Sequence, residues 1–392
     1  MGSIKDKVAI VGMGCTKFGE LWDKGIDDLI IEAAYGAYED AGIEPKDIEA
    51  AWLGVTQLIS AIVMSAPLKL RNIPITRVEN RCATGMEALR NASFAIAAGM
   101  YDVVLVLGVE KLKDTGLAGL PGLGDHPVFG VSVTAPANWA LGATRYFHHY
   151  GLTPEEGKRT LAKIAVKNHY NGSLCPKAHF QREITLEQAL NAPIIAWPLG
   201  LFDCCGNSDG SAAAILTRAD MAKNFRKDYV LVKGIGLAVG PGLGKEDCDY
   251  DHIHLPQTEI AAQQAYEQAG IKNPRQEIDI AEVHDCFTIS ELMTYEALGF
   301  SVKGKAKEDV DAGTFALDGE LPVNADGGLK CFGHPVGASG LRECYEVYSQ
   351  IQGRAQLPAR QLKKDVKLGV SHNQGGHPGC LLPIVTILGR AD

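Results

Sequence analysis

No stretch of this 392-residue chain holds about 18 consecutive apolar residues, so no membrane-crossing helix is expected. The opening segment Met1-Gly2-Ser3-Ile4-Lys5-Asp6-Lys7 lacks the apolar core of a secretory signal. Basic residues are in deficit: 38 Lys and Arg stand against 47 Asp and Glu, a net charge of −9. That balance argues against a nucleic-acid binder, although backbone amides and a few cations can still hold a phosphorylated ligand. None of the ten cysteines forms a CxxC pair, and the adjacent Cys204-Cys205 cannot readily chelate one zinc, so no metal site is expected. Reduced thiols in a cytoplasm follow as the default. A dinucleotide fingerprint is missing too, because Lys17 stands where the third glycine after Gly12 and Gly14 should be.

What is present fits a globular α/β protein. Hydrophobic residues make up 46% and charged residues 22%. The length exceeds one typical core, so two fused or duplicated units are expected. The 44 glycines are scattered, which suits many tight strand–helix turns. Lys7–Gly14 reads as a buried strand entering a glycine turn, Asp27–Ala41 as an amphipathic helix closed by Gly42, and Ile48–Val55 as a second strand.

The same arrangement returns later. Ala37-Tyr38-Glu39-Asp40-Ala41-Gly42-Ile43 recurs as Ala265-Tyr266-Glu267-Gln268-Ala269-Gly270-Ile271. Val230–Gly236 precedes the second copy as a strand, and Ile278–Val283 follows it. Gly85, Leu89 and Arg90 line up with Gly337, Leu341 and Arg342, which sets Cys82 opposite His334. Several ordered matches indicate a duplicated half. Lys111 to about Asn207 has no counterpart. It carries a glycine-rich stretch Leu117–Gly124, a polar-aromatic stretch Ala143–Tyr150 and a helix Thr153–Asn171 capped by Thr153, and long excursions of this kind usually carry binding work. Ser211–Leu216 then returns as a buried strand.

Cys82, in Asn80-Arg81-Cys82-Ala83-Thr84-Gly85, sits where an extended run meets a helix start. Helix amides there favour a thiolate, the nucleophilic form. Most of the other cysteines read as small core residues. The stretch Asn324-Ala325-Asp326-Gly327-Gly328 to Gly333-His334-Pro335-Val336-Gly337-Ala338-Ser339-Gly340-Leu341-Arg342 surrounds one histidine with five glycines, which is hard to explain by packing alone.

Asn324-x-x-Gly327-Gly328 followed by the GHPxGASGxR run closely resembles the thiolase family, and the resemblance covers nearly the whole chain. Asn80–Gly85 resembles its nucleophile segment, Asp203–Ala213 the run leaving its loop domain, and Gly375-Gly376 its C-terminal glycines. His284-Asp285-Cys286-Phe287 is similar to the sterol-carrier-protein-type and archaeal-type branch, and the usual Cys-x-Gly is replaced by His372-Asn373-Gln374-Gly375-Gly376. The pattern also resembles the thiolase component that cleaves 2-benzoylsuccinyl-CoA in anaerobic toluene degradation.

The resemblance implies two βαβαβαββ halves in a five-layered α-β-α-β-α structure. The N-terminal half would span 1–110 with 207–228, the loop domain 111–206, and the C-terminal half 229–392. It implies a thiolytic cleavage of a 3-oxoacyl-CoA, or the reverse Claisen condensation, through an acyl-enzyme on Cys82. His334 would take the Cys82 proton, and Cys286 would move the second proton. His284 and His334 would offer N–H donors to the thioester oxygen, and the amides of Cys82 and Gly375 would form the other oxyanion hole. Coenzyme A would be a co-substrate with no permanently bound cofactor, contacted within 111–206. Expected partners are further copies in a homodimer or homotetramer and a small zinc-ribbon/OB-fold acyl-CoA-binding subunit. Cys175-Pro176 and His377-Pro378 depart from the family pattern and are expected to reshape the acyl or pantetheine channel, and Cys380 to be a core residue of the last strand. The alternatives are an acetoacetyl-CoA thiolase of small-acyl metabolism and a catalytically silent scaffold or lipid carrier.

Overall fold

The computed structural model describes residues 2–57, 59–116, 134–241, 250–355 and 359–391; the stretch Leu117–Gly124 lies outside them. The first half runs β1 (Val8–Cys15), α1 (Ile26–Ala41), β2 (Ala50–Gly54), β3 (Ile75–Val78), α2 (Thr84–Ala97) and β4 (Val103–Lys111). An excursion follows with α3 (Ala135–His149), α4 (Pro154–Ser173), α5 (Leu186–Leu190) and the short ribbon β5 (Ile194–Ala196) and β6 (Leu199–Gly200). β7 (Asp209–Arg218) returns beside β4, and the buried Lys111–Asp209 ion pair at 2.7 Å closes the neck of the excursion. The second half comprises β8 (Val230–Leu237), α6 (Pro256–Ala269), α7 (Pro274–Glu277), β9 (Ile280–Val283), α8 (Thr288–Ala297), α9 (Ala306–Asp311), α10 (Gly328–Phe332), α11 (Ser339–Ile351), β10 (Leu368–His377) and β11 (Cys380–Arg390).

Nine strands join in the order β3-β2-β4-β7-β1-β8-β11-β10-β9. The halves repeat one topology. Each has its first strand at the junction, where β1 meets β8 through two antiparallel residue pairs, and each places its fifth strand next to the first. The third strand of the second half shrinks to one parallel bridge, Val323 to Ala281. Pro322 has no N–H to donate, and Asn324 turns the chain at once with φ 58°, so the ladder stops there.

Three cores account for the layers. α1 buries Leu29, Ala33 and Ala37 against Val11, Leu107 and Ile215. α2 and α11 lie together in the middle, where Met86, Leu89, Leu341 and Val347 share a core with Ile10, Val106 and Ile384 from both halves of the sheet. On the far side, Ala261, Ala265, Ile289 and Leu292 pack against Val283, Val385 and Ile387. The result is α-β-α-β-α. Each fully buried Leu, Ile or Val contributes about 1.5–3 kcal/mol, so the central helix pair is held from both faces.

The glycines near the start of each half do a different job from the one expected. Gly12 and Gly14 are not in a turn; β1 runs through them to Cys15. A Cβ would meet the Ala37 carbonyl at 2.4 Å from Gly12 and the Ala33 carbonyl at 2.0 Å from Gly14. Gly234 and Gly236 stand in the same relation to the carbonyls of Ala265 and Ala261 on α6, at 2.3 and 1.9 Å. Spacing of two puts each pair on one strand face, and the missing side chains let the helix come close. The helix ends follow the sequence: Gly42 and Gly270 close α1 and α6 with φ of 70° and 84°. Thr153 caps α4 reciprocally with Glu156. The polar-aromatic stretch Ala143–Tyr150 continues α3, because Trp139, Ala143, Tyr146 and Phe147 form one buried stripe. No helix among the described residues is long and apolar enough to cross a membrane.

The central pair depends on glycine. A Cβ on Gly85 would stand 2.6 Å from the Gly337 carbonyl, and one on Gly340 would stand 2.8 Å from the Met86 nitrogen. Gly85→Ala is therefore expected to cost about 1–3 kcal/mol by overpacking. Urea unfolding measures it, and an unchanged midpoint would show that α2 and α11 tolerate a wider separation.

Candidate active site

The turn before α2 is tied at both ends. Ala83 and Thr84 amides donate to the carbonyls of Asn80 and Arg81, and the Asn80 amide donates to Thr84 Oγ1 at 2.8 Å. Arg81 takes the left-handed conformation, φ 51°, which is uncommon for a side chain of this size. Cys82 is left half-buried, facing inward, two residues ahead of the helix.

His284, Asp285 and Cys286 follow directly on β9. Asp285 points away from the cavity and binds the other segment: its carboxylate accepts from the amides of Leu329 at 2.5 Å and Lys330 at 3.3 Å and from Asn168 Nδ2 at 2.8 Å. Gly328 has no alternative residue, since a Cβ would fall 2.4 Å from that carboxylate. Behind it, buried Arg342 holds Glu282 and Asp326 at 2.8 Å. These bonds fix α10 and bring Gly333-His334 to the start of α2, beside Cys82. His334 Nδ1 lies 2.7 Å from Ser339 Oγ, whose own proton goes to the Pro335 carbonyl at 3.1 Å. The serine oxygen must then accept, so Nδ1 of His334 carries the hydrogen and Nε2 presents a lone pair. That Nε2 is buried and has no hydrogen-bond partner among the described residues.

The Cys82 sulfur and one nitrogen from each of His284 and His334 lie within 4.8 Å of one another. The two imidazoles meet edge to face at 5.2 Å. Cys286 lines the same cavity, of about 170 Å³, with Cys82, His284, Thr56, Arg81, Trp139 and Phe287. Gly375 lies against the nucleophile turn: a Cβ there would be 3.1 Å from the Cys82 nitrogen. Cys82, His284, Cys286, His334 and Gly375 are thus gathered in one place. Cys82, His284 and His334 are also the one His/Cys/carboxylate group among the described residues compact enough for a metal ion, where none was expected.

Electrostatics correct one expectation. Burial pushes the Cys82 thiol up to about 12, against a smaller opposing pull from Arg81, so the helix start does not produce a resting thiolate. Burial, reinforced by Arg342, pushes His334 down to about 3. Burial also lowers His284, helped by His334 and His372, and raises Cys286, helped by Cys205 and Cys82. The resting site is neutral: thiol beside imidazole. His334 can donate an N–H from Nε2 only after it has taken a proton.

Other expectations shift. Cys175 lies in the central core, and neither it nor His377, whose Nδ1 meets the Pro378 carbonyl at 3.0 Å, lines this cavity. Cys380 is half-exposed at the first residue of β11 rather than in the core. Cys204 and Cys205 border a neighbouring cavity of about 340 Å³ that shares Phe287. Part of the segment expected to hold coenzyme A, residues 117–133, lies outside the described residues. Sequence reading missed Arg81, Trp139 and Phe287 as lining. Arg81 could have been marked by its place beside Cys82; Trp139, on a helix of the excursion, gave no signal.

With this geometry in view, the comparisons are decisive. The thiolase N-terminal domain matches residues 8–220, and the thiolase C-terminal domain-like family matches residues 248–390. The chain belongs to the thiolase family. This thiolase chain is 38% identical to the acetyl-CoA acetyltransferase of Methanothermobacter thermautotrophicus, over 95% of its own length and 97% of the relative's. It is 32% identical to benzoylsuccinyl-CoA thiolase subunit BbsB of Thauera aromatica, over 96% of both. Among solved structures, the Ltp2-ChsH2(DUF35) aldolase superposes with a TM-score of 0.83 at 27% identity, covering 99% of each chain.

The neutral pair makes a pH prediction for this thiolase chain. Between about 3 for His334 and about 12 for Cys82, thiol and free imidazole both persist, so neither group changes charge across the neutral range. Acetylation of Cys82 by acetyl-CoA is expected to vary less than twofold from pH 6 to pH 9. Quenched-flow mass spectrometry reads it, and a tenfold rise per pH unit would show a thiolate drawn from bulk solvent instead.

Proposed function

We propose that this chain cleaves a 3-oxoacyl-CoA with coenzyme A, or runs the reverse Claisen condensation, through an acyl-enzyme on Cys82. One observation carries the reading: the Cys82 sulfur stands within 4.8 Å of one nitrogen of His334 and one of His284, and His334 Nε2 is buried without a hydrogen-bond partner among the described residues. His334 Nε2 takes the thiol proton as the sulfur attacks the 3-oxo carbon. The C2–C3 bond breaks, the acyl group stays on Cys82 as a thioester, and the shortened CoA thioester departs as its enolate. The thiol of coenzyme A then takes the acyl group and frees Cys82. The amides of Cys82 and Gly375 receive the oxyanion. Cys286 passes the second proton to the departing or from the attacking α-carbon, in place of the thiol of the missing Cys-x-Gly. His284 faces the enolate oxygen. Coenzyme A enters as co-substrate, with 111–206 proposed as the segment that contacts it.

The finer proposal is a bulky or aromatic acyl group, as in the Thauera relative. Trp139 and Phe287 form one wall of the cavity, their rings 6.3 Å apart. Its volume of about 170 Å³ is close to the roughly 150 Å³ that admits a benzene ring. An acetoacetyl-CoA substrate is the second reading, favoured by the 38% identity to an archaeal acetyl-CoA acetyltransferase. A small acyl-CoA-binding subunit is proposed as partner because the aldolase structure joins Ltp2 to a DUF35 chain and the Thauera relative is named a subunit. A homodimer or homotetramer is proposed alongside it, with the open edge of β3 available for contact.

Incubation with acetyl-CoA should leave an acyl adduct on Cys82, read by peptide mass spectrometry. Cys286→Ala should keep that adduct while carbon–carbon cleavage falls about 10²–10⁴-fold. Turnover that survives this change removes Cys286 from the mechanism. A thiolysis screen comparing acetoacetyl-CoA with aromatic 3-oxoacyl-CoAs separates the two substrate readings.

A further inference from the structure

His284 has a second nitrogen, and its neighbours determine what the first one offers to the cavity. The parallel pairing of β10 with β9 sets His372 beside Val283 and so carries Asn373 to the level of His284. Asn373 Nδ2 lies 3.2 Å from His284 Nδ1 and 2.7 Å from Glu343 Oε1. All three side chains are buried. An amide nitrogen has two hydrogens and no lone pair, so it donates in both directions. His284 Nδ1 must therefore accept, and the hydrogen of a neutral imidazole goes to Nε2.

Nothing else fixes that choice. No other hydrogen bond to the His284 ring is formed among the described residues, and the second oxygen of Glu343 and the carbonyl oxygen of Asn373 have no partners there. In the orientation present, the one amide nitrogen donates to Glu343 Oε1 and faces His284 Nδ1. Burial raises the Glu343 carboxyl well above the usual carboxylate range, against a smaller opposing pull from Arg342 next to it on α11. The three residues come from three separate elements: α11, β10 and the end of β9. Asn373 also stands two residues before Gly375, in the segment where the Cys-x-Gly of ordinary thiolases was expected.

We propose that Asn373, oriented by Glu343, is a positioning residue that locks His284 in the Nε2–H tautomer and so makes it a hydrogen-bond donor to the substrate oxygen. This rests on the thiolase reading above for the identity of that oxygen, but not for the tautomer itself. The two histidines of the site are thereby set in opposite senses. Ser339 makes His334 an acceptor, a base for the Cys82 proton, and Asn373 makes His284 a donor, an electrophile for the developing enolate. No proton is exchanged through Asn373; it sets geometry and tautomer only.

The test reads the tautomer directly. In ¹⁵N-histidine-labelled protein, two-bond ¹H–¹⁵N correlation distinguishes Nε2–H from Nδ1–H, and the His284 signals are those lost in His284→Gln. The expected result is a neutral Nε2–H ring in the unmodified chain and a switch toward Nδ1–H in Asn373→Asp, whose carboxylate can only accept. A wild-type Nδ1–H ring overturns the proposal, whether or not the protein shows thiolase activity. In kinetics, Asn373→Ala should acylate Cys82 within threefold of wild type, since His334 does that step, yet lose about 10²–10³-fold in carbon–carbon cleavage, the usual cost of one oxyanion donor. Glu343→Gln keeps an acceptor oxygen and should restore most of the rate lost in Glu343→Ala. Cleavage by Asn373→Ala within twofold of wild type also overturns the proposal. Absence of any acyl adduct in wild type would instead strike the thiolase reading and leave the tautomer result standing.

Discussion

The arrangement rests on the approach of two helices with no side chain between them. Gly85 of α2 faces the Gly337 carbonyl, and Gly340 of α11 faces the backbone of Met86. Cys82 lies just before the first helix and His334 just before the second, so the helix separation sets the sulfur-to-nitrogen distance. The repeat makes this possible. Equivalent turns of two related halves meet across the centre of the molecule, one supplying a thiol and the other an imidazole. The two halves of the sheet then clamp the pair, because α2 and α11 share their core with strands from both.

Burial at such a centre has an electrostatic consequence. A cysteine at a helix start gains at most about 1–2 kcal/mol from helix amides, roughly one pKa step. Removal from water exceeds that and leaves the thiol near 12. The site holds no resting charge pair and no reserve of thiolate. Its charges lie one layer back, where Arg342 is bound by Glu282 and Asp326, and Asp285 grips the amides leading to His334. A buried ionic group of this kind is weak evidence for stability. Here its bonds join β9, α10 and α11, the three elements that carry the histidines and the second thiol.

Much of this could be read from residues alone, for identifiable reasons. The recurrence of Ala37–Ile43 as Ala265–Ile271 exposed the duplication, because a helix with the same cap must pack on its strand in the same way. Lining up Gly85 with Gly337 brought Cys82 to His334 before any coordinates. What failed was local. Gly12 and Gly14 look like a turn because glycine allows one, and only the proximity of α1 shows that they are a flat strand face. The thiolate expectation failed because a helix start is visible in a sequence while the depth at which it is buried is not. Trp139 and Phe287, brought together from α3 and the residue after Cys286, could not be paired by spacing.

A neutral site must move protons in step with bond making, so its groups need fixed distances rather than a favourable pH. Proximity of that kind is kept best by regular elements. Cys82 is pinned by a hydrogen-bonded turn, His284 by the end of a strand, and His334 by Ser339 and the start of α11. Part of the cavity wall is held differently: Leu112, Ala135 and Trp139 belong to the excursion between β4 and β7. The duplicated frame therefore carries Cys82, His284 and His334, and the inserted segment, which has no counterpart in the other half, supplies part of the cavity wall beside Phe287 and Val336 of the frame. The excursion meets the cavity away from the contact of Gly85 with Gly337, so its side chains and the helix contact are separate parts of the fold.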